Sequence, residues 1–209
     1  MIFRLNRTLV FPDPSLADED GLLAVGGDLT AERLILAYQN GIFPWYSEGD
    51  PVLWYSPHER FVIFPEEVRS SHSMKQLIRS GKYEVTWDKD FAEVIKQCSQ
   101  IKRKGQRGTW ITQDMIDAYT DLYIKGIAHS VEVWDGDKLI GGLYGVETGP
   151  VFCGESMFSL EPNASKLALI YLCQNKEYKL IDCQLHNPHL ERMGGRYMDR
   201  STYMNYLNS

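Results

Sequence analysis

The sequence predicts an α/β (α+β) protein, a mixed sheet flanked by helices and preceded by a small N-terminal α/β subdomain. Three observations carry this. Residues 151–184, VFCGESMFSLEPNASKLALIYLCQNKEYKLIDCQ, read as strand, turn, buried helix and strand. An apolar run holding Glu155 gives way there to Pro162 and Asn163, and then to LALIYLC, which is apolar on nearly every side. Just ahead, AHSVEVWD and LIGGLYGVE alternate on either side of Asp135-Gly136, a strong hairpin signal. The opening third is instead rich in glycine and proline, which sets residues 1–65 apart from a main domain over residues 66–209.

In chain order, Thr30 can cap a first helix in which Leu34, Ile35 and Tyr38 follow the helical period and Gly41 ends the run. Trp45, Tyr46, Trp54 and Tyr55 crowd around the Gly49-Asp50 turn, as a satellite core or as a binding surface. SHSMKQLIRSG suggests a short helix stopped by Gly81, and residues 83–87 alternate as a strand. Asp88 then reads as the cap of a helix with Phe91, Val94, Ile95 and Cys98 on one face. Thr112 starts another, with Met115, Ile116, Tyr119, Leu122 and Tyr123 inward and Gly126 as its stop. After the hairpin, Thr148-Gly149-Pro150 turns the chain into the central strand, and Asn163 reads as the cap of the buried helix.

The strand over residues 179–184 puts Leu180, Asp182 and Gln184 on one face and Ile181 and Cys183 on the other. Buried polar groups are costly unless paired, so an acid and an amide in a core strand need a reason. Residues 188–193 suggest a short helix, Gly194-Gly195 a break, and residues 201–207 a last helical turn or two.

Of the 209 residues, 44% are hydrophobic and 24% charged, as in ordinary soluble globular proteins. No run approaches the roughly 20 apolar residues of a membrane span, and MIFRLNRTLVFPDP lacks a signal peptide's apolar segment, so a cytoplasmic protein is expected. Cys98, Cys153, Cys173 and Cys183 are widely spaced in apolar surroundings, which points to reduced core thiols and to no metal site. A net charge of −6 argues against a surface coated with phosphate contacts but leaves room for a local basic patch. Lys102, Arg103, Lys104 and Arg107 form one just before Trp110. A basic loop beside a tryptophan can hold a phosphate chain and stack a base, although such loops also serve simply as solvated surface. Lys75 and Arg79, one helical turn apart, could extend the patch. His129 and His186 have no visible serine or cysteine partner.

The order helix, helix, antiparallel hairpin, strand, helix, strand resembles the N-acetyltransferase (GNAT) superfamily. Those enzymes grip the coenzyme A pyrophosphate with a glycine-rich loop at a helix N-terminus. Here residues 159–164, SLEPNA, contain no glycine but a proline and a glutamate, so coenzyme A is not expected. A more specific likeness lies in GLLAVGGDLTAERLILAYQNGIFPWY, the Trp54-Tyr55-Ser56-Pro57 segment, GTWIT, AHSVEVW, GGLYGVETG, FCGESMFS, NASK and LIDCQ. Together these resemble the leucyl/phenylalanyl-tRNA protein transferase family from about Phe11 to Leu207.

That resemblance implies transfer of leucine, less readily phenylalanine or methionine, from aminoacyl-tRNA to the N-terminal Arg or Lys of a protein, which marks the protein for N-degron-dependent proteolysis. It implies neither metal nor cofactor, and a cytoplasmic enzyme acting as a monomer is expected. By motif, Trp45 and Trp110 resemble the pair that sandwiches the terminal adenine, Glu155 the acid at the substrate site, and Asp182 with Gln184 the pair proposed to act in catalysis. Leu143 stands where the family pattern has methionine in the aminoacyl pocket, and Phe152 and Met157 are further candidates for its walls. A coenzyme-A-dependent acetyltransferase and a tRNA-binding module without catalysis are the alternatives.

An aminoacyl ester is already activated, so orientation, which can supply about 7–11 kcal/mol, should dominate the chemistry. In this scheme Asp182 orients Gln184, whose carbonyl holds the attacking amine, while Glu155 helps orient the substrate. If Asp182 and Gln184 instead only satisfy buried backbone, they have no catalytic part.

Overall fold

Two sheets divide the described part of the chain; the computed structural model describes residues 2–101 and 110–209. The N-terminal part carries β1 (Phe3–Leu5), β2 (Leu22–Gly26), α1 (Ala31–Gln39), β3 (Phe43–Pro44) and β4 (Leu53–Tyr55). β1 runs parallel to β2, and β4 lies antiparallel between β2 and β3. Next come β5 (Glu59–Ile63), α2 (His72–Ser80), β6 (Glu84–Trp87), α3 (Phe91–Gln100), α4 (Gln113–Ile124), β7 (Ala128–Asp135), β8 (Lys138–Thr148) and β9 (Val151–Ser159). The chain ends with α5 (Ala164–Asn175), β10 (Leu180–Asp182), α6 (Pro188–Arg192), β11 (Arg196–Asp199) and α7 (Arg200–Leu207).

The second sheet has the order β11-β5-β10-β9-β8-β7-β6. β9 and β10 are its parallel pair, joined by the α5 crossover, and the other neighbours are antiparallel. β5 belongs to this sheet, so the change of sheet falls between Tyr55 and Glu59, ahead of the Pro65 boundary that composition suggests. β11, which periodicity does not reveal, adds an edge strand by pairing with β5.

The long β7–β9 meander is the platform for the site. α5 lies on one of its faces, with Ala168, Ile170 and Leu172 in a core that also takes Leu143 and Phe152. Its first turn sits so close to β8 that a Cβ at Gly141 would come 2.5 Å from the Ala164 Cβ. α1, α3, α4 and α7 cover the opposite face, where Tyr38, Phe91, Tyr119, Tyr144 and Tyr203 pack with the small sheet's Trp54.

Several helix starts differ from the sequence reading. Thr30 does not cap α1; its hydroxyl donates to Asp28. Asp90, not Asp88, caps α3 by accepting from the Glu93 amide, while Asp88 accepts from the Ser130 amide and pairs with His129. Asn163 stands at the start of α5 with φ 72° and makes no capping bond, whereas the Ser159 hydroxyl accepts from the Ser165 amide. Asp90 is an ordinary N-cap two residues beyond the one read, whereas Ser159 reaches the first turn of α5 from the end of β9, outside the local cap pattern. Thr112, read as the start of its helix, caps α4, and Ser71 caps α2.

Candidate active site

The site grows from one irregularity. Across β8 and β9, Tyr144 pairs with Ser156 and Gly145 with Gly154, so Glu155 is the extra residue of a β-bulge. Bulges re-aim side chains, and here the Glu155 carboxylate turns toward α1 and α4. Tyr38 Oη lies 2.7 Å from Oε1 and Tyr119 Oη 3.1 Å from Oε2, and the two hydroxyls are also within hydrogen-bond distance of each other. Glu155 is only 8% exposed. Burial pushes its pKa up to about 7, against the hydrogen bonds from Tyr38, Gln184 and Tyr119.

One strand over, β10 ends at Asp182, and the expected alternation through Gln184 stops there. Gln184 takes φ 64°. That left-handed turn lets its amide donate to Asp182 Oδ1 at 2.8 Å and its side-chain Nε2 donate to Glu155 Oε1 at 2.7 Å. The acid and the amide are thus neighbours through a kink, not through a shared strand face.

Asp182 is fully buried and lies behind the site, outside the cavity wall. Arg60 of β5 holds it with Nη2 at 2.5 Å from Oδ2, and Tyr203 Oη donates to the same oxygen at 2.8 Å. The guanidinium also donates to the Gly41 carbonyl at 3.0 Å and lies against the rings of Phe43 and Tyr203. Burial disfavours the Arg60 charge, but the Asp182 carboxylate outweighs it and the balance moves the pKa upward.

Glu155 and Gln184 open into a cavity of about 300 Å³. One part of its lining is apolar: Leu143, Phe152 and Met157 from the sheet with Leu169 and Leu172 from α5. Trp45 and Trp110 border the same cavity, and Trp45 is 40% exposed. The structure therefore gathers seven of the residues singled out from sequence, Trp45, Trp110, Leu143, Phe152, Glu155, Met157 and Gln184, around one space. Lys75 and Arg79 are exposed on α2 and do not line it. Lys102, Arg103, Lys104 and Arg107 lie outside the described residues.

Sequence reasoning missed four side chains. Tyr38 and Tyr119 read as helix core, and they are core, but their hydroxyls are spent on Glu155. Arg60 sits inside an apolar strand run, ERFVI, and a charge at a buried strand position is a usable signal. His189, on α6, lines the cavity, and burial followed by Lys166 and Arg192 lowers its pKa. His129, by contrast, pairs with Asp88 at 2.6 Å away from the cavity lining. Among the described residues no group of three His, Cys, Asp or Glu side chains could hold a metal ion. No helix there is long and apolar enough to cross a membrane.

Known proteins share this sequence closely. The family model described as leucyl/phenylalanyl-tRNA protein transferase matches residues 62–208, and that of the corresponding N-terminal domain matches residues 27–58. A leucyl/phenylalanyl-tRNA protein transferase of Flavobacterium johnsoniae is 52% identical over 211 residues, covering 100% of both chains. One from Syntrophus aciditrophicus is 54% identical over 202 residues, 95% of this chain and 84% of that one. Among solved structures, L-PGS from Bacillus licheniformis aligns with a TM-score of 0.43 and 12% identity over 79% of this chain and 54% of that one.

Proposed function

The chain belongs to the leucyl/phenylalanyl-tRNA protein transferase family and is an aminoacyltransferase, and on that premise we propose how it carries out the transfer and to what. The donor is leucyl-tRNA, with phenylalanyl- or methionyl-tRNA used less readily, and the acceptor is a protein with N-terminal Arg or Lys. The product is thereby marked for N-degron-dependent proteolysis, and the enzyme works in the cytoplasm as a monomer.

In this reading Trp45 and Trp110 stack on the terminal adenine, contacts worth about 1–3 kcal/mol per base that do not depend on tRNA sequence. The apolar wall of Leu143, Phe152 and Met157 takes the aminoacyl side chain. The basic residues Lys102, Arg103, Lys104 and Arg107, with Lys75 and Arg79 beyond them, hold the acceptor stem by its phosphates.

The observation that supports the chemical roles is the double anchoring of Gln184. Its side-chain N–H is committed to Glu155 and its backbone N–H to Asp182, so the carboxamide oxygen is left as an acceptor beside the cavity. An N–H of the attacking amine bonds to that oxygen and lines the nitrogen up with the ester carbonyl. The nitrogen–carbon bond forms, the carbon–ribose oxygen bond breaks, and the proton released from nitrogen ends on the ribose oxygen. Asp182 acts through Gln184 as a positioning residue, and Glu155 fixes the other end of the amide. A free α-amino group has a pKa of about 7.7–8.0, so roughly one in ten is neutral at pH 7 before any base acts. Orienting the two reactants therefore lowers the barrier more than deprotonating the amine does.

The test is transfer of labelled leucine from leucyl-tRNA to an arginine-starting peptide, beside a glutamate-starting one, without ATP or added metal. Label on the arginine peptide alone is the expected result. Tight tRNA binding with no transfer would turn the assignment into a binding module and remove Asp182 and Gln184 from the chemistry. Binding of acetyl-coenzyme A would favour the acetyltransferase alternative, which the proline and glutamate at the start of α5 oppose.

A further inference from the structure

Three oxygen–oxygen contacts join Glu155, Tyr38 and Tyr119 in a closed ring. Each contact is favourable only with a proton between its two oxygens, because facing lone pairs repel. A tyrosine hydroxyl carries one proton, so with Glu155 ionised the ring holds two protons for three contacts. A carboxylic acid supplies the third. Glu155 then donates from Oε2 to Tyr119, Tyr119 donates to Tyr38, and Tyr38 donates back to Oε1. Oε1 also receives the Gln184 Nε2 proton at 2.7 Å, which suits a carbonyl oxygen with two lone pairs.

We propose that Tyr38 and Tyr119 are positioning residues that close this ring and hold Glu155 as a neutral acid in the resting enzyme, so that the acceptor's α-amino group meets an uncharged site and stays a free base. The groups around the carboxyl agree with this. Tyr38 faces it from α1 and Tyr119 from α4. Tyr144 of β8 packs edge-on against the Tyr119 ring, Cys153 lies two residues away on β9, and Asp182 stands on β10. The cation among these neighbours, Arg60, is committed to Asp182. Burial independently moves the Glu155 pKa up to about 7.

The consequence for catalysis follows from charge. A carboxylate beside an amine favours the ammonium form, which has no lone pair for attack. Below the Glu155 midpoint, with that acid neutral and Asp182 cancelled by Arg60, neither acid raises the amine's pKa. Only this consequence rests on the transfer reaction proposed above; the protonation state is read without substrate, so either idea can fail alone.

Infrared difference spectra of the wild type against Glu155→Gln at pH 6 should show the carbonyl stretch of one protonated carboxyl. Following that band with pH in Tyr119→Phe separates the two descriptions. If tyrosines merely donate to a carboxylate, removing a donor raises the midpoint. In the closed ring, loss of the Tyr119 oxygen breaks two of the three contacts of the neutral form, and the midpoint falls, by about one pH unit. The acceptor-peptide kcat of that variant, which follows the bound amine, should then reach half its maximum at a higher pH than wild type. Glu155→Gln gives a second measurement if Tyr119→Phe does not fold. Its amide donates and accepts where the acid does, so the ring closes and the unfolding midpoint at pH 6 stays within a few degrees of wild type. No Glu155-dependent acid band at pH 6, a midpoint raised by Tyr119→Phe, or a collapse in stability of Glu155→Gln would each overturn the proposal.

Discussion

Gln184 Nε2 lies 2.7 Å from Glu155 Oε1, and that hydrogen bond fixes the orientation of the amide beside the cavity. Gln184→Ala is expected to keep tRNA affinity, since Trp45 and Trp110 are untouched, and to lower the single-turnover transfer rate on the order of 100-fold, the scale of a lost alignment. Rapid-quench transfer beside filter binding measures both. An unchanged rate would leave the carboxamide with a structural part only.

The buried carboxyl makes stability depend on pH. Glu155 rises from an ordinary 4.5 to about 7 in the fold, so the native state holds a proton that the unfolded chain has released. Its contribution is fully present below about pH 4.5, declines as pH rises, and is lost above about 7; the span is on the order of 3 kcal/mol. Urea midpoints of the wild type should fall across that window more steeply than those of Glu155→Gln, whose side chain does not titrate. Parallel curves for the two proteins would place the pH dependence elsewhere.

Removing Asp182 strands a cation. Arg60 and Asp182 are both buried, and breaking such a pair from one side costs about 3–5 kcal/mol. Asp182→Ala is expected to lose that much stability by denaturant unfolding. Asp182→Ala with Arg60→Ala should lose less than the two single changes added together, since neither charge then remains unpaired. Transfer rates for Asp182 variants therefore mean something only when scaled to the folded fraction. A residual deficit after that scaling is the expected mark of the lost Gln184 anchor.

Much of the fold is legible in the sequence, and the failures share one cause. The βαβ unit, the Asp135-Gly136 hairpin and the helices with sharp apolar faces are local patterns, and they stand where periodicity puts them. The candidate site is read mainly through the resemblance, which singles out Glu155 and both tryptophans by motif, whereas Asp182 and Gln184 also stand out as polar groups in a core strand. What periodicity does not give is register. The bulge at Glu155 is defined by its partner strand, the turn at Gln184 by a φ of 64°, and the bond at the start of α5 by Ser159 at the end of β9. Tyr38 and Tyr119, 81 positions apart, look like any inward helical tyrosines until α1 and α4 meet over Glu155.

The two tryptophans should act without reading sequence or salt. Trp45→Ala and Trp110→Ala are each expected to weaken tRNA binding by about 1–3 kcal/mol, equally for different leucine tRNAs, and to leave the salt dependence of binding unchanged. Replacing Lys102, Arg103, Lys104 and Arg107 by glutamine should do the reverse, flattening the plot of log affinity against log salt. Equilibrium binding at several salt concentrations distinguishes the two. A change of salt slope with Trp110→Ala would mean that the tryptophan supports the basic segment and does not stack on a base.

The proposed aminoacyl pocket can be tested at Leu143. Leu143 is nearly buried, pairs in register with Met157, and lines the space together with Phe152 and Leu169. Cutting it back to alanine lengthens the pocket by most of a side chain, which costs leucine its contacts and gives a phenyl ring room. Because one methylene in an apolar pocket is worth about 1–3 kcal/mol, Leu143→Ala should raise the ratio of phenylalanine to leucine transfer by roughly 10-fold or more. The change also removes buried surface, but the new space joins the cavity and fills with substrate, so the loss in stability should sit at the low end of the roughly 2–5 kcal/mol typical of buried Leu→Ala changes. Competition between leucyl- and phenylalanyl-tRNA for one acceptor peptide reads the ratio directly. If it stays constant while both rates fall, Leu143 supports the sheet without contacting the aminoacyl group, and the pocket wall has to be sought at Phe152 and Leu169.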